Sequence, residues 1–108
     1  SAPLTKDGIL AIMDPPLVPF QVEQWGGQTV LVRGLDAGSA MDASEITGGR
    51  RAQIAFMVQR GLVDSFGKPL FTPEELPALM EKSFGAINAI GLKIIEVSGL
   101  KAELGEGK

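Results

Sequence analysis

The sequence predicts an α+β domain, mainly helical, with one N-terminal β-hairpin and four to five helices. Three observations carry this. Val18, Phe20 and Val22 alternate with Pro19, Gln21 and Glu23, as a half-buried strand does. Ile87, Ile90, Ile94 and Val97 fall on one stripe at helical spacing. Thr5, Asp36 or Ser39, and Thr72 stand before apolar runs, where a side-chain oxygen can cap the first free amides of a helix. A chain of 108 residues suffices for one core that buries roughly 60–65% of the unfolded surface. We therefore expect one domain over residues 1–100 and a flexible tail over 101–108, which holds two glycines and alternating charge with little to bury.

The elements follow in order. Thr5 caps a short helix through Ile9, Leu10, Ile12 and Met13, and Asp14-Pro15-Pro16 stops it, because proline has no amide to donate. Pro19 restricts the first strand to a sheet edge or a late start, and residues 28–33 form the return strand. Between them Trp25-Gly26-Gly27-Gln28 supplies two glycines able to take positive φ, as a two-residue hairpin turn requires. Trp25 and Leu31 then fall on the face opposite Val18, Phe20 and Val22, so the hairpin has to lean on helices or on a partner. A second helix runs through Met41, Ala43 and Ile46 and stops at Gly48-Gly49.

Residues 50–61 are apolar on nearly every side, as in a central buried helix, although a buried strand over residues 54–58 fits the same run. Asp64-Ser65-Phe66-Gly67-Lys68-Pro69 is turn chemistry. Thr72-Pro73-Glu74-Glu75 combines a cap, a first-turn proline and a capping-box glutamate, while Pro77 shortens or bends the helix that follows. The last helix starts at Ser83 and stops at Gly99. Gly85 and Gly91 inside it each cost about 1 kcal/mol relative to alanine, which points to a close neighbour.

Composition narrows function further. With no His, Cys or Tyr, the usual bases, nucleophiles and zinc ligands are missing. The thirteen carboxylates are scattered without calcium or magnesium spacing and read as a solvated surface. We expect no enzyme activity, no cofactor and no metal. A net charge of −3 without a basic block disfavours nucleic acid. The most apolar stretch, residues 84–100, is too short and too charged for a membrane helix. The start, Ser1-Ala2-Pro3-Leu4-Thr5-Lys6, has no charged leader before an apolar run, so no secretory signal is expected. Together with the absence of cysteine, this makes a reducing cytoplasm the default compartment.

Gly48-Gly49-Arg50-Arg51 can in principle hold a phosphate through free amides and guanidinium groups, but a helix stop with exposed arginines outweighs that reading without a full phosphate-loop motif. Trp25 and Phe66 are either core residues or partner anchors. So much apolar surface in so short a chain points to association, and the candidate contact residues are Trp25, Leu31, Phe66, Phe71, Leu92 and Ile95.

Three segments, taken in order, resemble the tail assembly chaperones of long-tailed bacteriophages. They are Leu4-Thr5-Lys6-Asp7-Gly8-Ile9-Leu10, then Val22-Glu23-Gln24-Trp25-Gly26-Gly27-Gln28-Thr29-Val30-Leu31-Val32-Arg33-Gly34-Leu35, then Leu62-Val63-Asp64-Ser65-Phe66-Gly67-Lys68-Pro69-Leu70-Phe71-Thr72-Pro73-Glu74-Glu75. Gln24, where proline is common, and the Gly48-Gly49-Arg50-Arg51 run depart from the pattern. The resemblance implies a protein of the bacterial host cytoplasm that coats the tape measure protein, keeps it soluble and helps recruit tail tube subunits. It also implies weak self-association, absence from the mature virion, and a longer form made by frameshifting near Lys108, since Gly107-Lys108 is what a common slippery run encodes. The alternative in another class is a structural virion component, such as a tail or head-tail connector subunit.

Overall fold

The computed structural model describes residues 2–100, so the expected tail and the frameshift site near Lys108 lie outside the described residues. Five helices and one antiparallel three-stranded sheet make up the α+β domain. Helix α1 (Lys6–Ala11) is followed by the strands β1 (Leu17–Val22) and β2 (Gln28–Arg33), then by helices α2 (Ala37–Ser44) and α3 (Gly49–Gly61). Strand β3 (Leu62–Val63) adds to β2, and α4 (Leu76–Leu79) and α5 (Phe84–Ser98) complete the chain. No helix among the described residues is long and apolar enough to cross a membrane.

The hairpin register pairs Val18 with Val32, Phe20 with Val30 and Val22 with Gln28. This puts Val18, Phe20, Val22, Val30 and Val32 on one face, which packs into the core with Leu62. Leu17, Pro19, Leu31 and Arg33 take the other face, because side chains alternate along a strand. Strand β1 is an edge, as Pro19 requires. The connection is longer than the expected two-residue turn. A 3₁₀ turn over Glu23–Trp25 precedes Gly26 and Gly27, whose φ values of 73° and 77° are those glycine takes freely. That turn carries Trp25 onto the core rather than onto the face of Leu31.

The sheet has a third strand that the hairpin pattern does not announce. Leu62 and Val63 are only two residues long, too few for an alternating pattern to show, and they pair with Val32 and Leu31. The turn after them is closed by Asp64, whose carboxylate accepts the amides of Phe66 and Lys68 at 2.8 and 3.0 Å.

Helix α2 is capped by Asp36, which accepts the Ser39 amide at 2.7 Å. It ends at Ser44, before Ile46, and the glycine pair starts α3 instead of stopping α2. Gly48 and Gly49 hold φ values of 104° and 84°, a reversal that turns the chain directly into the next helix. The run over residues 54–58 is helical, with Ile54, Met57 and Val58 buried.

The capping-box glutamate is in place, accepting the Thr72 amide at 2.8 Å, yet the helix it starts is brief: a 3₁₀ turn over Pro73–Glu75 and the four residues of α4. Pro77 cannot donate an amide, and Glu81 and Lys82 bond three residues back, which unwinds the end. Helix α1 likewise stops early. Ile12, three residues before the first of the two prolines, is already extended.

Helix α5 packs against both the sheet and α3, and burial follows its stripe: Ala86, Ile87, Ile90 and Ile94 are inside. Ser83 caps its start and Gly99, at φ 75°, closes its end. A side chain at Gly91 would meet Ile54 at 3.4 Å, the close neighbour that the glycine cost foretold. The approach is tighter at Gly61, where a Cβ would lie 2.7–2.8 Å from three side-chain atoms of Ile94. Ser98 ties the helix to the end of β2 by accepting the Leu35 amide at 2.8 Å.

These contacts set two outcomes. Gly61→Ala is expected to lose about 1–3 kcal/mol by overpacking against Ile94, while Gly91→Ala, in ordinary contact and gaining helix propensity, should hold or raise stability; urea unfolding of both variants checks the contrast. The Ser39 amide holds the Asp36 carboxyl below the ordinary value of 3.8, with help from the Ser39 side chain and the charges of Arg60 and Arg33. A lowered folded pKa stabilises fully above the unfolded value and is lost as the pH falls below it. Asp36→Asn should therefore keep the cap yet show a weaker loss of thermal stability than the parent as the pH drops below 3.8.

Candidate partner-binding surface

Ten large apolar side chains are exposed among the described residues, and three regions that hold seven of them stand out. The first is a groove beside Phe84. The glycine pair starts α3 so that Arg50 and Arg51 sit in its first turn, with Ile54 one turn further on. The Ser83 cap places Phe84 at the first position of α5, where it is 77% exposed, with Ile87 and Asn88 in the next turn. Met80 and Lys82, from the link after α4, complete a groove of about 370 Å³. Ile54 and Ile87 are buried at its base, Met80 and Phe84 extend the apolar wall, and three cations stand around it. No carboxylate lines it, and none of the three cations is ion-paired among the described residues, where the salt bridge present is Lys93–Glu96.

The polar side chains of the groove are Arg50, Arg51, Lys82 and Asn88. No group of three or more carboxylates or other ligating side chains is placed to hold a metal among the described residues. Its apolar base and cationic margin suit an apolar segment or molecule that also carries negative charge.

The second is the N-terminal arm. Thr5 caps α1 by accepting the Gly8 amide at 3.1 Å, but no residue of this helix is buried. Leu4, Ile9, Leu10, Ile12 and Met13, half of the exposed apolar set, lie within these ten positions. The third is the tip of the 64–69 turn, where Phe66 is 86% exposed.

The six side chains expected to meet a partner are dispersed. Phe66 stands open and Leu92 is about half exposed, so both present apolar area. Trp25, Phe71 and Ile95 are half-buried against the core, the role that competed with anchoring for Trp25. Leu31 is half-buried beside Val63 on the outer face of the sheet. None of the six lines the groove. The groove residues escaped sequence reasoning because they come from three separate stretches. The one available signal was Arg50-Arg51, with Lys82 added only by folding.

The chain's architecture has a solved counterpart. The structure of the bacteriophage HK97 tail assembly chaperone superposes with a TM-score of 0.63 over 85% of this chain and 90% of that one. The fold is similar to that of a phage tail assembly chaperone. At 17% identity the likeness is one of fold. No family model and no curated protein matches the sequence. The superposition spans most of both chains, so the two share an overall fold.

The groove's chemistry is open to direct measurement. The anionic aromatic dye anilinonaphthalene sulfonate should bind the native protein with enhanced fluorescence, and Arg50→Glu with Arg51→Glu should cut that signal while circular dichroism stays unchanged.

Proposed function

We propose that this chain is a phage tail assembly chaperone that binds the tape measure protein and helps recruit tail tube subunits during morphogenesis. The observation that carries this reading is the coexistence of a tail-assembly-chaperone fold with apolar side chains left open to solvent. A tape measure protein is a long helical polypeptide, and its apolar stripes aggregate unless another surface covers them. Exposed Leu10, Met13, Phe66 and Phe84 offer such cover, and a groove that accepts an amphipathic helix is a common form of this contact. The work is reversible binding. Tube subunits then displace the chaperone as they polymerise, and it leaves before the virion is complete.

Co-expression tests this directly. The tape measure protein of the same phage should stay soluble when this chain is present. Leu10→Asp with Phe84→Asp, at exposed positions that the fold does not need, should send most of it to the pellet. Mass spectrometry of purified virions should find the chain absent, whereas stoichiometric presence would make it a structural component instead.

A further inference from the structure

Arg50 and Arg51 stand where a helix least favours them. They occupy the first turn of α3, which holds no acidic residue, and the free amides at that end already make it positive. Lys82 joins them from the link before α5; no carboxylate lines the groove, and none of the three cations is ion-paired among the described residues. Like charges gathered at one site repel, so the cluster costs the fold stability instead of adding to it. The chain as a whole leans the other way, with thirteen acidic residues against ten basic ones. The groove is a cationic site on an acidic protein.

Between the cations the surface is apolar. Ile54 and Ile87 are buried at the base, and Phe84 stands on the wall at 77% exposure. A small-molecule site encloses most of its ligand, whereas a side chain as open as Phe84 is covered only by an occupant that extends past the groove. Guanidinium groups take carboxylates in paired hydrogen bonds, and a helix can carry an apolar stripe with such groups along its margins.

We propose that the groove binds an amphipathic helix of another protein whose apolar stripe is bordered by aspartate or glutamate. The stripe lies on Phe84 and over Ile54 and Ile87, while the acidic margins meet Arg50 and Arg51 from α3 and Lys82 from the link. A helix with basic margins is rejected by the same three cations. The inference deepens the chaperone reading and rests on it only for which protein carries the helix: in the tape measure protein, the segments taken are those with acidic margins.

Two rhodamine-labelled peptides of about 18 residues, long enough to form a helix on docking, test the charge rule. Both carry one leucine stripe, bordered by glutamate in the first and by lysine in the second. Fluorescence anisotropy with the full chain should give the glutamate peptide a Kd at least about tenfold lower, and the gap should narrow as salt rises. Arg50→Glu with Arg51→Glu should reverse the order of the two peptides. Its urea midpoint should equal or exceed the parent's, since glutamate suits the first turn of a helix. Phe84→Ala should weaken the glutamate peptide without changing circular dichroism. Equal affinity of the parent for both peptides, or a charge-reversed form that keeps the parent's preference, would overturn the proposal. Sedimentation of the parent with phosphatidylglycerol vesicles, without a peptide preference, would also overturn it and assign the groove to a lipid surface. Co-expression separates this outcome from the chaperone reading. A charge-reversed form that holds the tape measure protein in solution as well as the parent does would remove the groove from that contact and leave the chaperone role standing. A parent that fails to hold it, yet prefers the glutamate peptide, would remove the chaperone role and support the groove's ligand class.

Discussion

Helix α5 can serve the sheet and α3 at once only because two glycines let the backbones come together. Gly61 lies where a methyl group would collide with Ile94, and Gly91 lets Ile54 and Val58 of α3 approach the helix. Through that seat α5 buries Ile87, Ile90 and Ile94, while Val22 and Val32 close over it from the sheet. The remaining elements are placed relative to this contact. Strand β3 follows α3 without a loop, so the helix that packs on α5 also delivers the third strand to β2. Ser98 and Leu35 fasten the far end.

A core this concentrated leaves the periphery to polar junctions and open apolar surface. Around the root of the arm, Arg33 bonds two carbonyls, and Arg60 donates to Ser39 at 2.7 Å while lying 4.5 Å from the centre of the Phe56 ring. Asp36 faces the same junction and caps α2. These are directional contacts that hold a route for the chain, and no buried side-chain polar atom among the described residues is left unpaired. The apolar groups beyond them, in the arm, at Phe66 and around the groove, gain nothing from the fold of one chain. Their exposure costs solubility unless something covers them.

Sequence reading went furthest where the signal is local. The alternation of Val18, Phe20 and Val22, the stripe through Ile87, Ile90 and Ile94, the caps at Thr5 and Asp36 and the stop at Gly99 each report a backbone preference within a few residues. It faltered where one local signal has two uses. Gly48-Gly49 suits a helix end and a helix start equally, and only the packing of α3 on α5 decides between them. The capping box at Thr72 is real, yet it starts only a 3₁₀ turn and the four residues of α4. The candidate contact residues were chosen as large apolar side chains, a property that core and surface share, so Trp25 and Phe71 turned inward while Phe66 stayed out.

The sequence by itself determined the α+β class, the buried face of the last helix and the lack of His, Cys and Tyr, and it narrowed the proline-bearing strand to an edge or a late start. Each of these is either composition or a periodicity that the chain carries with it. Only the tertiary structure decided that Arg50, Arg51 and Lys82 share one groove, that Leu62 and Val63 join the sheet, and that α1 has nothing of its own to pack on. The physical reason is that these facts depend on distances between residues far apart in the chain. Such distances are fixed by the close approach of α3 to α5, which no single segment encodes.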